Sequence, residues 1–309
     1  MEKEQLDKEV ASISLSDVVT VTRMGHITEI QYMQKMNRSA TIKKLSKDEY
    51  CDLATGEIKE FKHMEVRTDS YNSLRQTFKK LRYLINNNFR GRKNELFVTL
   101  TFKPDETGWR PMVGDNKYLS KCFTAFNRKL QAKYGVENVQ FIRVLEPHAD
   151  GHAHYHVLLR FDGYNSIYIS NDELAEMWGK GHVTVHSLKN VDNIGAYVSA
   201  YLTDVEFNEE TDAATVFKAM QEDRQLEIKT VDGQEKKFIK GGRLHMYPSG
   251  KQIYNKSKEM SMPERETMTY KKAKKIVGSA KPHYAKKYEI ESEDFTNTVI
   301  FEQYNSERS

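Results

Sequence analysis

The chain has 309 residues, enough for one large or two modest domains. Charged residues make up 30% and the apolar set 38%, an ordinary soluble composition, and no apolar run approaches membrane-spanning length. Only two cysteines occur, Cys51 and Cys122, which excludes a disulfide framework and a thiolate zinc site and suits a reducing cytosol.

The amino terminus, MEKEQLDKEV, is charged and predicts no signal peptide. Residues 12–66 read mainly as strands. TRMGHITEIQYM alternates around Gly25, and DLATGEIKEF reads as a hairpin closed at Thr55-Gly56. A helix is predicted from Ser73 to about Asn86, with Leu74, Phe78, Leu81 and Ile85 on one stripe. Seven basic residues and no acidic one lie between Asn72 and Lys93. The apolar stripe is the core side, and the basic side is left for a polyanion.

Strands and helices then alternate. LFVTLTF (residues 96–102) is a β-branched and aromatic strand, followed by an amphipathic helix over Lys117–Tyr134 with Leu119, Cys122, Phe123, Phe126 and Leu130 inward. Val139–Glu146 and His154–Phe161 are two strands joined by the turn-rich link PHADG. Ser170 with Glu173 forms a capping box for a helix ending at Gly179. His182–Leu188 is another strand, and Asp192 caps a helix over about 193–204. This order predicts an α+β fold, a central antiparallel sheet with helices on one face. A polar, acidic connector (about 205–235), a hairpin turning at Pro248-Ser249-Gly250 and a Lys-rich helix near 263–277 complete the chain. Seven lysines without a carboxylate occupy Thr269–Tyr288. The expected division is 1–66 (β-rich), 67–205 (core) and 206–309 (carboxyl-terminal region).

His154 and His156 alternate around Tyr155 on one strand and therefore project from one face, close enough to share a divalent ion. Imidazole with a carboxylate suits Mn²⁺ or Mg²⁺ when positions must stay open for phosphate oxygens. Glu146, at the end of the adjoining strand, is the candidate third ligand, with His148 as competitor. Residues 152–158 also satisfy the alternating pattern of histidine-triad nucleotide hydrolases, in which His154 would attack an α-phosphate without a metal. His182 and His186 read as sheet-surface residues. Tyr197 and Tyr201 share a helix face one turn apart, beside the apolar stripe Ile194, Val198, Leu202 and Val205. They offer two phenolic nucleophiles to a phosphodiester that the ion polarises.

With LFVTLTF, LEPHADGHAHYHVLL and AYVSAYL in this order, the chain resembles the HUH endonucleases of the rolling-circle replication initiator family. Its nearest likeness there is to the paired-tyrosine branch typified by phage gene A replication proteins and related plasmid Rep proteins. The likeness covers about residues 70–205, more weakly through Arg243 and Tyr254, and implies a ferredoxin-like nuclease core. It implies Tyr197 and Tyr201 as nucleophiles, and His154, His156 and Glu146 as metal ligands. It implies nicking of origin DNA, a 5′-phosphotyrosine and a 3′-hydroxyl primer. The family usually carries lysine just before the second tyrosine; this chain has Ala200, and Lys189 could substitute from the preceding strand. No phosphate-binding loop of the form G-x-x-x-x-G-K-[ST] is present, so a host helicase and polymerase are the expected partners, in a bacterial cytoplasm. Lys79, Lys80, Arg82, Lys103, Lys189 and Arg243 are the candidate DNA contacts. A mobile-element strand transferase or relaxase would share the chemistry, and a non-catalytic DNA-binding regulator would share the fold.

Overall fold

The computed structural model describes residues 13–35, 41–46, 48–60, 71–148, 151–189, 191–203, 205–206, 226–231, 234–239, 247, 252–292 and 295–308. The chain begins with strands β1 (Val18–Met24) and β2 (Ile27–Met33), then the short strands β3 (Ile42–Lys44), β4 (Glu49–Asp52) and β5 (Ile58–Glu60). Next come α1 (Tyr71–Asn88), β6 (Glu95–Leu100), α2 (Asn116–Tyr134), β7 (Val139–Pro147), β8 (Ala153–Phe161), α3 (Asn171–Trp178), β9 (Val183–Ser187) and α4 (Ile194–Thr203). The strands β10 (Val205–Glu206), β11 (Leu226–Val231), β12 (Gln234–Ile239) and β13 (Tyr254–Lys256) follow. The last elements are β14 (Arg265–Thr269), α5 (Tyr270–Val277), β15 (Tyr284–Ser292) and β16 (Phe295–Asn305).

These elements form two compact units, residues 65–262 and residues 1–64 together with 263–309. The three consecutive segments expected from the sequence are thus replaced by an inserted unit and a discontinuous one. Strand pairing is the reason. In the discontinuous unit the order is β14-β1-β2-β16-β15, so both ends of the chain contribute to one antiparallel sheet. The β1–β2 hairpin turns at Gly25, and Gly56 closes β4–β5, each at positive φ as the sequence predicted. Val19, Val21, Ile30, Ala273, Ile300 and Tyr304 fill this unit's core. The Lys-rich helix starts seven residues later than expected, because Arg265–Thr269 pairs with β1 as a strand.

In the inserted unit five antiparallel strands run in the order β13-β7-β8-β6-β9. The α+β class holds, but helices pack on both faces of the sheet rather than one. Leu119, Phe123, Phe126 and Leu130 of α2 and Leu174 and Trp178 of α3 cover one side, against Val98, Tyr155, Val157 and Leu159. Phe78, Leu81, Leu84 and Ile85 of α1 and Ile194, Val198 and Leu202 of α4 cover the other, against Phe97, Ile142, Val144 and Leu158. Doubly covered strands are buried along their whole length, whereas half-exposed strands alternate. In β8 all seven residues from Ala153 to Leu159 are buried.

Local signals explain the helix ends. Ser170 Oγ accepts from Glu173 N at 3.2 Å, and Gly179 ends α3 in the left-handed region. The Glu173 carboxylate accepts from Lys133 and the Tyr134 hydroxyl instead of closing the capping box. At α4 the capping side chain is Asn193, not Asp192: its Oδ1 accepts from Ala196 N at 3.0 Å.

Candidate metal centre and tyrosine helix

Register places the candidate ligands. Glu146 is the direct cross-strand partner of His154, and Val144 that of His156. His156 pairs in turn with Thr99 of β6, and Phe97, two residues earlier, pairs with Leu158 and with His186 of β9. Alternation along each strand puts Glu146, His154, His156, Thr99 and Phe97 on the α1/α4 face of the sheet.

The three ligands converge. Glu146 Oε2 lies 3.2 Å from His154 Nε2 and is in still closer contact with His156 Nε2. One ligand atom from each residue lies within 4.8 Å of the other two, and all three side chains are buried. Burying a carboxylate costs several kcal/mol unless a cation or strong donors compensate it. Two imidazoles aimed at one carboxylate oxygen meet that need in part, and a divalent cation meets it fully. Two neutral nitrogens with one anionic oxygen form a mixed donor set suited to such an ion, so the residues fit the group that the sequence predicted. The expected competitor, His148, is not a member of this cluster. It lies exposed at the end of β7 with its ring 3.9 Å from that of His154.

Thr99 is a functional residue that sequence reasoning missed. Its Oγ1 is 3.1 Å from His156 Nδ1. With Nε2 turned toward Glu146, the remaining nitrogen carries the proton and donates to Thr99, which fixes tautomer and ring orientation. The signal was present: a hydroxyl in the middle of the apolar run LFVTLTF has no packing reason to be there.

Tyr197 approaches the same face through Phe97. The Phe97 ring stacks on His156 at 5.6 Å and meets the Tyr197 ring edge-on at 6.3 Å. Phe97 is fully buried, whereas Tyr197 is 42% exposed. One rigid ring therefore supports both an imidazole of the metal cluster and a phenol open to solvent. Tyr201 lies one turn further along α4; its side chain is outside the described residues.

The position of α4 is set by α1. Asn86, 1% exposed, donates to Asn193 Oδ1 at 2.9 Å and accepts from Gly195 N at 2.7 Å. Gly195 permits the approach: a Cβ there would lie 2.6 Å from Arg82 O and 2.7 Å from Asn86 Oδ1. Replacing Gly195 by Ala gains up to ~1 kcal/mol of helix propensity. Overpacking against a backbone carbonyl costs about 1–3 kcal/mol and wins. Gly195→Ala is expected to lower Tm and to displace Tyr197. A melting curve at or above that of the parent protein would show that α4 does not depend on this contact.

The predicted DNA contacts are dispersed. Lys80 is exposed on α1, while Lys79 and Arg82 are half-buried with their charges 5.4 Å and 5.7 Å from the Tyr83 ring. Arg82 also lines the Gly195 contact, a packing role the sequence did not reveal. Lys103 is exposed just past the end of β6 that neighbours His154 and Glu146, and Lys189 is exposed beyond β9. Arg243 lies outside the described residues, as does the turn expected at Pro248-Ser249-Gly250.

No curated protein and no solved structure matches the chain. A family model for the replication-associated protein ORF2 matches residues 95–206, the span from β6 to β10 that carries Glu146, His154, His156, Tyr197 and Tyr201. That span holds the metal cluster and the tyrosine helix, and its match supports a replication-initiator Rep family for this replication-associated protein.

Proposed function

We propose that this protein is a metal-dependent, site-specific single-strand endonuclease that starts rolling-circle replication by nicking and rejoining origin DNA. The observation that carries the reading is Phe97, which touches both His156 of the buried ligand cluster and the solvent-open Tyr197. A histidine nucleophile would not need a cross-strand carboxylate turned to two imidazoles, so the histidine-triad alternative is disfavoured.

Glu146, His154 and His156 would hold a divalent ion, Mn²⁺ or Mg²⁺. When bound, such an ion withdraws charge from the non-bridging phosphate oxygens. The chain's own residues do the rest. Thr99 keeps His156 in one tautomer, Phe97 fixes the height of Tyr197 above the sheet, and Asn86 with Gly195 sets the pitch of α4. The Tyr197 oxygen forms a bond to phosphorus as the bond from phosphorus to the 3′ oxygen breaks. The phenolic proton is released and the departing 3′ oxygen takes one up, leaving a free 3′-hydroxyl. The phosphotyrosine ester retains the energy of the cleaved bond, so rejoining needs no nucleotide triphosphate. Tyr201 would serve a second cleavage while the first adduct is held.

The test is incubation of a labelled random single-stranded library with the protein and Mn²⁺, followed by denaturing electrophoresis. An SDS-resistant protein–DNA species of defined sequence is expected. A regulator would shift the DNA in native gels and form no such species. Neutralising Lys79 and Lys80 on α1 should reduce the slope of log K against log salt by about 0.7 for each phosphate they neutralise on a single strand. An unchanged slope would remove this helix from the DNA path.

A further inference from the structure

On the opposite face of the same sheet, away from the metal cluster, lies a cavity of about 360 Å³. Its lining includes Arg143, Tyr155, Asn116, Ser120, Gln252 and Asn255. This volume is at the small end of the range for small-molecule sites.

Arg143 is the unusual member. It alternates inward on β7, beside Val157, on the face covered by α2. Its guanidinium lies 4.4 Å from the Phe123 ring centre and 5.2 Å from that of Tyr155. Two aromatic faces thus hold the planar group in place. Nη1 is sealed from solvent and finds no acceptor among the described residues, and no carboxylate among them pairs with this side chain. Burial pushes its pKa below the usual guanidinium range. A charge kept desolvated and uncompensated costs several kcal/mol, and an entering anion would offset that cost.

The rest of the lining restricts the anion. Asn116, Gln252 and Asn255 each present both a donor and an acceptor, and Ser120 adds a hydroxyl. Leu119, Leu145 and Ile253 supply an apolar wall. An oriented guanidinium edge suits phosphate, and amides beside an apolar wall suit a base with mixed donors and acceptors. We infer that this cavity binds a phosphate-bearing nucleotide, with its phosphate on Arg143 and its base among the amides. The chemistry is shared by a free mononucleotide and by the phosphorylated end of a DNA strand.

Calorimetric titration of the full chain in metal-free buffer tests the site, with deoxyadenosine monophosphate as probe and deoxyadenosine as its phosphate-free control. Saturable binding of the monophosphate only, weakened at least tenfold in Arg143→Gln, is the expected result. No saturation into the millimolar range, or equal affinity in the variant, overturns the proposal. If Arg143→Gln does not fold, Ser120→Leu on the exposed side of α2 decides instead: lost binding supports the site and retained binding refutes it. A 5′-phosphorylated dinucleotide binding more tightly than the mononucleotide identifies the strand end as the source, and weaker binding identifies the free nucleotide. Because metal and cleavage are absent from every arm, failure here leaves the nicking reading untouched.

Discussion

Tyr197→Phe is expected to lower formation of the SDS-resistant DNA adduct by roughly a thousandfold or more, the scale of losing a nucleophile that acts as part of a catalytic unit. DNA affinity and Tm should hardly move. The reason is structural: Tyr197 is 42% exposed, so deleting its hydroxyl strips away no core packing, and its ring still meets Phe97. Substitutions at such positions usually fall within about 0.5 kcal/mol. The measurement pairs adduct yield on a labelled single strand with a native gel on the same strand. If the adduct survives in Tyr197→Phe and vanishes in Tyr201→Phe, the attack passes to the second tyrosine. If it survives in the double variant, the phenol mechanism is wrong. Lost DNA binding without lost fold would instead make this helix face a binding surface.

The candidate site was legible because its parts obey short periods. Alternation puts His154 and His156 on one side of a strand, and the brief PHADG link brings Glu146 beside them. The i, i+4 spacing puts both tyrosines on one side of α4. What escaped was whatever depends on register between distant segments. Thr99 and Phe97 acquire their roles only when β6 pairs with β8, a distant segment of the chain, and no local rule announces that pairing. The same holds for Asn86, which meets Gly195 from 109 residues away. The discontinuous unit shows the extreme case. β1 finds β14, and β2 finds β16, with the whole inserted unit between them in sequence. Even so, the second layer of helices left a trace. The runs LFVTL and YHVLL lack the polar alternation of a half-exposed sheet, and reading them strictly would have covered both faces.

Metal dependence gives the second large effect. Glu146→Gln keeps the shape of the side chain and removes its charge, so it isolates the electrostatic role of the ligand. Outer-shell partners of a metal typically carry about 10–100-fold in affinity. An anionic ligand shared by two imidazoles should carry more, and cleavage should fall at least in proportion. Two opposing effects act on the fold. Without metal the substitution removes a buried carboxylate and should raise Tm or leave it unchanged, since the anion is desolvated. With Mn²⁺ at about a hundred times its Kd, the parent protein should gain about 2.7 kcal/mol that the variant cannot. The two melting curves therefore cross as Mn²⁺ is added, and EDTA restores their original order. A catalytic cluster built without metal predicts the reverse pattern: a Tm indifferent to Mn²⁺, cleavage that persists in EDTA, and a variant destabilised under both conditions because the Glu146 anion no longer holds the two imidazoles.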